Sequence, residues 1–265
     1  MIRLLFSDVD GTLIGSSGTV DPAIWNAAAR AHEAGITLAI CSGRPAFGVS
    51  RDYAERLSPG GWHVFQNGAS IVNLASNKSL SAHVADDIVQ MLVVRARANG
   101  RVLELYTDSE LAVEIDSPRT RAHADLLGIP FRTRSFTSLE GPIVRAQWLA
   151  ALEDESSIVA EAHPGLEISP STSPVMPDSL FVNMTPAGVD KGTAVRRVAE
   201  ALSIPLEQVM FVGDGLNDVA ALRIVGHPVA MGNAEERAKQ VSRRIVGAVD
   251  AGGLAEAIDL AVSMR

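Results

Sequence analysis

The chain has 265 residues, of which 47% are hydrophobic and 20% charged, a composition typical of a folded protein with one large or two moderate domains. Its formal net charge of −8 argues against a nucleic-acid partner, because that function requires a basic patch. No apolar stretch approaches the length needed to cross a bilayer, so we expect no membrane partner, and Cys41, the only cysteine, allows no intrachain disulfide, which favours the reducing cytoplasm.

A short buried strand that ends in two aspartates is the first predicted element. An apolar run beginning at Leu4 reaches Asp8 and Asp10 before the chain turns. Ligands of open α/β sheets bind at the carboxyl ends of strands, and two carboxylates so close together favour a divalent cation such as Mg²⁺. A solvated acidic turn is the alternative at this point. A calcium loop is excluded by its spacing, because the twelfth position of that motif is Thr19 rather than glutamate.

A helix and a second strand follow in the order of a βαβ unit. Asp21 and Pro22 are typical of a helix start, and Gly35 predicts its end. Residues 36–41 (ITLAIC) then form a second apolar run, so the two strands are expected to be parallel. If they are neighbours, Ser42 lies beside the two aspartates.

The middle of the chain changes in character and predicts a small inserted α+β domain. Its predicted elements are helices at residues 85–98 and 119–127, strands at residues 102–106, 111–115, 143–149, 157–162 and 180–184, and an exposed loop at residues 170–177. The stretch between the strands near Trp148 and Ile158 is too short for a full helix, which predicts a trimmed domain.

The pattern of the first segment returns after residue 186. A helix starts near Lys191, and a buried strand at residues 209–212 ends in GDGLND, which contains Asp214, Asn217 and Asp218. A dinucleotide-binding fingerprint is excluded because Asp218 occupies the place of its third glycine. Each cluster alone is also compatible with helix caps and solvated charges.

Four motifs taken together resemble those of the haloacid dehalogenase superfamily of phosphotransferases. They are DVDGTL at residues 8–13, CSGR at 41–44, DKGTAV at 190–195 and GDGLND at 213–218. An insert lies between the second and third motifs, and the sequence AMGNA follows the fourth motif at residues 230–234. Together these two features resemble the Cof-type subgroup of sugar-phosphate phosphatases. The resemblance implies an α/β fold, with a Rossmann-like parallel sheet core at residues 1–82 and 185–265 and an inserted α+β cap at residues 83–184.

The resemblance also implies roles for the motif residues. Asp8 would attack phosphorus to form an aspartyl-phosphate, and Asp10 would protonate the leaving oxygen and then activate water. Mg²⁺ would be held by Asp8, the backbone carbonyl of Asp10 and Asp214, with Asp218 in or near the outer ligand sphere. The phosphoryl oxygens would be bound by Ser42, the Gly43 amide, Lys191 and Asn217.

The cap would close over the site and read the leaving group. Its candidate specificity residues are cations: Arg119, Arg121, His123, Arg132, Arg134 and Arg145. For each of them a solvated surface charge is the alternative.

These patterns favour a Mg²⁺-dependent phosphatase of small phosphorylated metabolites, with sugar phosphates as the first substrate class. A phosphomutase or phosphotransferase on the same core, and a silent metabolite-binding module, remain alternatives. A dehalogenase is disfavoured because Asp10 would have no proton to transfer there. The sequence does not identify the oligomeric state of the protein.

Overall fold

The computed structural model describes residues 1–173 and 175–265 of the chain. The chain divides into two compact units. The first comprises Met1–Arg44, Ser50–Leu80 and Asp190–Arg265, and the second comprises Pro45–Val49 and Ser81–Val189. The fold class predicted from the sequence, a parallel-sheet α/β core with an inserted α+β domain, is confirmed.

Both compact units are built from strands and helices. The strands are β1 (Leu4–Ser7), β2 (Thr37–Ile40), β3 (Trp62–Phe65), β4 (Ser70–Asn73), β5 (Val102–Tyr106), β6 (Leu111–Val113), β7 (Arg145–Ala151), β8 (Leu166–Ser173), β9 (Met176–Pro186), β10 (Val209–Gly213), β11 (His227–Ala230) and β12 (Arg244–Ile245). The helices are α1 (Pro22–Glu33), α2 (Val49–Leu57), α3 (Asp86–Asn99), α4 (Pro118–Leu127), α5 (Glu155–Val159), α6 (Lys191–Ala201), α7 (Val219–Ile224), α8 (Glu236–Val241) and α9 (Gly253–Ser263). Helices α2 and α5 and strands β4, β8 and β12 were not predicted.

The main sheet of the first unit is parallel and has the strand order β12-β11-β10-β1-β2. Its register pairs Ser7 with Val212 on one side and with Ile40 on the other. The residues that follow these three strands therefore leave the sheet at one edge. This register explains how motifs far apart in the sequence meet in space.

Local signals account for the first crossover. The Asp21 side chain accepts a hydrogen bond from the Ala23 amide at 2.8 Å and so caps α1, as predicted. The buried face of α1 consists of apolar residues at helical spacing: Ile24, Ala27, Ala28 and Ala31. Gly35 follows with a φ of 71°, which glycine adopts at low cost. The thiol of Cys41 is free and buried.

The second unit contains an antiparallel sheet with the order β6-β5-β7-β9-β8. One face carries an apolar cluster that includes Leu103, Trp148 and Val182 together with Leu92 of α3. Because side chains alternate along a strand, Glu104 and Gln147 lie on the opposite face. The opposite face therefore combines these buried polar side chains with a smaller apolar cluster of Leu149, Met176 and Phe181.

Two predictions for the second unit are wrong. Residues 157–162 are not a strand, because residues 155–159 form the short helix α5, in which Ile158 is buried against the apolar cluster. The local β-branched pattern favoured a strand, but the packing of Ile158 in the apolar cluster determines that this segment is a helix. The loop predicted at residues 170–177 is strand at both described ends, because β8 runs through Pro170 to Ser173 and β9 begins at Met176. β8 is an edge strand, where proline is tolerated, and Pro174 lies outside the described residues.

Among the described residues, no helix has the length and hydropathy required to span a bilayer.

Candidate active site

Asp8 lies where β1 ends, and its carboxylate is almost fully buried, with 5% of the residue exposed. Its amide donates to the Val212 carbonyl at 2.9 Å, which continues the ladder between β1 and β10 by one residue. Burial raises the pKa of Asp8 well above its ordinary value, and the ion pair with Lys191 offsets only part of this effect. A cation close to this carboxylate would therefore stabilise its charged form.

Lys191 supplies one such charge from the start of α6. Asp190 caps this helix by accepting a hydrogen bond from the Thr193 amide, and Lys191 is the first helical residue. The Lys191 Nζ donates to the Oδ1 atoms of both Asp8 and Asp218, at 2.6 Å each. Burial alone would lower the pKa of Lys191, but these two carboxylates raise it, so the lysine remains charged.

Asp214 and Asp218 follow β10 and differ in their surroundings. Asp218 is fully buried, and its Oδ2 accepts hydrogen bonds from the amides of Asp214 and Gly215 at 2.9 Å. Asp214 Oδ1 accepts a hydrogen bond from Thr12 Oγ1 at 2.8 Å. Burial, together with the nearby Asp218 charge, raises the pKa of Asp214 to about 6.

Gly11 makes room for Asp214. Its φ is 80°, and a Cβ at this position would lie 2.1 Å from Asp214 Oδ2. Any other residue would push the carboxylate away from the first motif. The glycine of DVDGTL is therefore required by the close approach of the two acidic motifs.

The carboxylates fit a divalent cation. Oxygen atoms of Asp8, Asp214 and Asp218 lie within 4.8 Å of one another, and Lys191 compensates only one of the three negative charges. Within the described residues, Asp8 Oδ2 and Asp214 Oδ2 have no protein hydrogen-bond donor, whereas both oxygens of Asp218 are engaged. A hard cation with oxygen ligands, such as Mg²⁺, suits the first two residues as ligands and Asp218 as a supporting group.

Asp10 lies outside this carboxylate cluster. Both of its carboxylate oxygens accept hydrogen bonds from the guanidinium of Arg44, at 2.9 and 2.6 Å. The Asp10 side chain is 60% exposed, whereas that of Arg44 is 25% exposed. Arg44 was part of the CSGR motif in the sequence analysis, but no role was predicted for it.

Three of the four predicted phosphoryl-binding residues, Ser42, Gly43 and Asn217, lie around Asn67, which was not predicted as a site residue. Asn217 Nδ2 donates to Asn67 Oδ1 at 3.0 Å, and the Asn67 amide donates to the Ser42 carbonyl at 3.0 Å. A Cβ on Gly43 would lie 3.1 Å from the same Asn67 oxygen. Asn67 has a φ of 54°, a left-handed conformation that asparagine tolerates. The Asn-Gly dipeptide after β3 was its only sequence signal.

A second asparagine ties together the loops at this edge of the sheet. Asn233, within AMGNA, donates to the Gly11 carbonyl and accepts from the Val249 amide, both at 2.8 Å. It thereby fixes the turn that follows Asp10. In the sequence, this motif was recognisable only as part of the family resemblance.

The six predicted specificity cations make different contacts in the second unit. Arg119 donates to Ser179, Arg121 pairs with Asp116, His123 with Glu104 and Arg134 with Glu110, Arg145 lies over the Tyr106 ring, and Arg132 is exposed. His123, Arg132 and Arg134 line a cavity of about 510 Å³ within this unit. Arg119, Arg121 and Arg145 do not line it.

A sequence model of the haloacid dehalogenase-like hydrolases matches residues 5–258, which is nearly the whole chain. The chain belongs to this family. The membership predicted from the four motifs, including the Cof-type subgroup, is thus confirmed. The match extends over both compact units, so the inserted unit is part of the family's architecture.

Individual members of the family resemble the chain along its full length. The 5-amino-6-(5-phospho-D-ribitylamino)uracil phosphatase YcsE of Bacillus subtilis is 28% identical over 97% of this chain and 94% of its own length. A solved haloacid dehalogenase-like hydrolase from Bacteroides thetaiotaomicron is 28% identical, with a TM-score of 0.85 over 98% of this chain and 99% of that chain. A solved sugar phosphatase of subclass IIB is 22% identical, with a TM-score of 0.78 over 97% of this chain and 98% of that chain, and shows the same fold.

Proposed function

We propose that the protein is a Mg²⁺-dependent phosphatase that hydrolyses phosphomonoesters of small metabolites through an aspartyl-phosphate. One observation carries this proposal: Lys191 bridges Asp8 and Asp218 at 2.6 Å, with Asp214 in the same cluster. This arrangement provides a buried carboxylate nucleophile, a fixed ammonium group and the ligands of a divalent cation in one place. Phosphoryl transfer needs these parts, because its catalysis is mainly positioning and charge stabilisation.

The first half of the proposed reaction forms the covalent intermediate. A carboxylate oxygen of Asp8 attacks phosphorus, and the bond between phosphorus and the ester oxygen breaks. Asp10 delivers a proton to that leaving oxygen, so the product departs as an alcohol. Asp10 is exposed and is oriented by Arg44, as a group that meets the substrate must be.

The second half releases phosphate. The Asp10 carboxylate accepts a proton from water, whose oxygen attacks phosphorus, and the bond between phosphorus and Asp8 breaks. Lys191, the Gly43 amide, Ser42 and Asn217 would bind the phosphoryl oxygens in both halves. The Asp8 carboxylate is regenerated for the next turnover.

Mg²⁺ fits the carboxylate oxygens of Asp8 and Asp214, with the Asp10 carbonyl as the further ligand implied by the family and Asp218 in support. When bound, it supplies the positive charge that allows an anionic nucleophile and an anionic phosphate to approach each other. Lys191 alone leaves the site net negative.

The proposed substrates are small phosphorylated metabolites, and the predicted cap, residues 83–184, reads the leaving group. Two similar proteins guide the choice of compounds: YcsE is named for 5-amino-6-(5-phospho-D-ribitylamino)uracil, and the subclass IIB structure is a sugar phosphatase. Both compound classes belong in the substrate panel.

The direct test measures phosphate release from p-nitrophenyl phosphate and from this panel, with Mg²⁺ and with excess chelator. We expect turnover that requires Mg²⁺ and falls at least about 1,000-fold in Asp8→Asn. The matched control is Asp52→Asn, which makes the same chemical change at an exposed position of α2 and should retain full activity. Wild-type turnover no greater than that of Asp8→Asn would contradict the proposal.

A further inference from the structure

The first unit contains a cavity of about 410 Å³ whose lining residues all belong to that unit. This volume lies within the range of small-molecule sites, about 300–1,000 Å³. Thr37 and Trp62, the first residues of β2 and β3, line the cavity, whereas Ser42 follows the opposite end of β2. The cavity therefore lies at the edge of the sheet opposite the candidate active site.

Ser58 places an unpartnered hydroxyl group in the wall of this cavity. The residue is only 8% exposed, and its backbone is fixed, because its amide donates to the Ala54 carbonyl and its carbonyl accepts from His63 Nε2, both at 2.9 Å. Ser58 Oγ lies beside Gly61, another lining residue, where a Cβ would approach it to 2.8 Å. No partner for this hydroxyl is found among the described residues. Its hydrogen bonds are therefore available to a molecule in the cavity.

Other polar side chains around the cavity also keep unused hydrogen-bonding atoms. Within the part of the chain that the structure describes, neither Thr37 Oγ1 nor Trp62 Nε1 has a partner. His32 Nε2 bonds with the Leu57 carbonyl at 2.8 Å, and its other ring nitrogen is not engaged by these residues. A hydroxyl group can donate and accept, whereas an indole N–H only donates. The lining therefore offers both donors and acceptors to a ligand.

The cavity combines these polar atoms with an aromatic surface and has no fixed charge in its walls. Among the described residues that line it there is no carboxylate, lysine or arginine. The guanidinium of Arg265 lies beside Gly35 at one margin, where a Cβ on Gly35 would approach Nη2 to 2.7 Å. Trp62 is half-buried and presents its indole ring to the cavity. Such walls suit an uncharged molecule with an apolar face and polar edges.

We propose that this cavity is a separate ligand site, which binds an uncharged, hydroxyl-rich ring such as a monosaccharide. The C–H face of the ring packs against Trp62, and its hydroxyl groups exchange hydrogen bonds with Ser58 and Thr37. An apolar ring would leave these hydroxyl groups unsatisfied, and an anion would find no cation in the lining. The proposal does not depend on the phosphatase function, because the site lies at the other edge of the sheet.

The indole N–H groups provide a test that identifies the site as well as the ligand. The chain has three tryptophans, so a nitrogen–proton correlation NMR spectrum contains three indole signals, and Trp62→Phe identifies that of Trp62 by its loss. The probes are D-glucose, D-mannose and D-ribose. We expect at least one of them to shift the Trp62 signal saturably, with a Kd of about 1 mM or lower, while the signals of Trp25 and Trp148 stay in place. The absence of a saturable shift with all three sugars would overturn the proposal.

Variants connect the binding to the two hydroxyl groups. Ser58→Ala removes the buried hydroxyl but keeps the carbonyl that binds His63, and we expect the Kd of the sugar to rise about fivefold or more. Thr37→Val keeps the β-branched shape of a strand residue without the hydroxyl and should have a similar effect. Ser156→Ala makes the same change as Ser58→Ala at an exposed position outside the cavity and should bind as the wild type does. Wild-type affinity in both folded cavity variants would overturn the proposal.

Two further probes test the chemical class of the ligand. D-Glucuronate has the ring of D-glucose with an added carboxylate, and we expect it to bind no more tightly than D-glucose, because the lining supplies no counter-charge. Tighter binding of D-glucuronate would make the cavity an anion site through Arg265 and would overturn the assignment. Uracil represents a flat heterocycle, and a shift of the Trp62 signal by uracil at a lower Kd than by any of the sugars would overturn it as well.

The last comparison separates this site from the candidate active site. Folded Asp8→Asn should bind the sugar with the wild-type Kd, and Ser58→Ala and Thr37→Val should hydrolyse p-nitrophenyl phosphate at the wild-type rate. Sugar binding that is lost in Asp8→Asn but retained in Ser58→Ala would place the sugar at the carboxylate cluster and overturn the proposal. The NMR titration needs no turnover, so a protein without phosphatase activity would contradict only the proposed function.

Discussion

The guanidinium of Arg44 binds both carboxylate oxygens of Asp10, Nε to Oδ2 at 2.9 Å and Nη2 to Oδ1 at 2.6 Å. The two residues are 34 positions apart and follow neighbouring strands, β1 and β2. A bidentate pair of this kind fixes direction as well as distance. Arg44 therefore sets the orientation of the proposed acid and base.

Arg44→Lys keeps the charge but loses the planar fork, so Asp10 should lose its orientation. We expect kcat for sugar phosphates, whose alkoxide leaving groups need a proton, to fall about tenfold or more. Turnover of p-nitrophenyl phosphate should change less, since nitrophenolate departs unprotonated. Steady-state kinetics on both substrates provide the measurement. Arg51→Lys, in an exposed pair with Glu55, is the control, and equal losses on both substrates would argue against the orienting role.

Lys191→Met should destabilise the protein, because it leaves Asp8 and Asp218 as unpaired buried carboxylates. The expected loss is about 3 kcal/mol in the free energy of unfolding at pH 7, measured by urea titration. Because burial raises the pKa of Asp8, this carboxylate takes up a proton at a higher pH than an ordinary aspartate, so the penalty should shrink as pH falls. Lys78→Met, at an exposed position, should change little. A penalty independent of pH would contradict this account.

Asp214→Asn should abolish stabilisation by Mg²⁺. At a Mg²⁺ concentration one hundredfold above Kd, a single site stabilises the folded wild-type protein by about 2.7 kcal/mol. The amide keeps the size of the side chain and can still accept from Thr12, but it is a much weaker ligand. Thermal unfolding with and without Mg²⁺ gives the measurement, with Asp52→Asn as the control. An unchanged Mg²⁺ response in Asp214→Asn would place the cation elsewhere.

His63 should make the fold sensitive to acid. It is fully buried, with Nδ1 accepting from the Ile40 amide and Nε2 donating to the Ser58 carbonyl. Burial lowers its pKa to about 4, from about 6.5 in the unfolded chain. Its contribution is therefore complete above pH 6.5 and is lost as pH falls towards 4, by about 3 kcal/mol.

The measurement for this prediction is the free energy of unfolding between pH 7 and pH 4. His63→Gln removes the titrating group, so its stability should fall less steeply over this range, although it starts lower. His83→Gln, at an exposed position, should follow the wild-type curve. Parallel curves for wild type and His63→Gln would show that His63 has the same pKa in the folded and unfolded states, which would contradict the prediction.

Local signals were sufficient for much of the first unit. Asp21 caps α1, Gly35 follows its end in a left-handed conformation, and the apolar runs at β1, β2 and β10 are strands. These features depend on neighbouring residues, whose geometry the sequence encodes directly. The strand predicted at residues 157–162 was wrong for the opposite reason, because a distant apolar cluster holds Ile158 in a helix.

The sequence by itself determined the parallel core, the inserted unit and the four motifs from which the family could be recognised. Only the tertiary structure decided that Lys191 joins Asp8 to Asp218, that Arg44 binds Asp10 and that Glu104 holds His123. Motif residues can be recognised in the sequence because their chemical types and their local spacing are read directly from it. Their partners are set by strand register and side-chain direction, which bring together residues up to 222 positions apart, and no local pattern records those contacts.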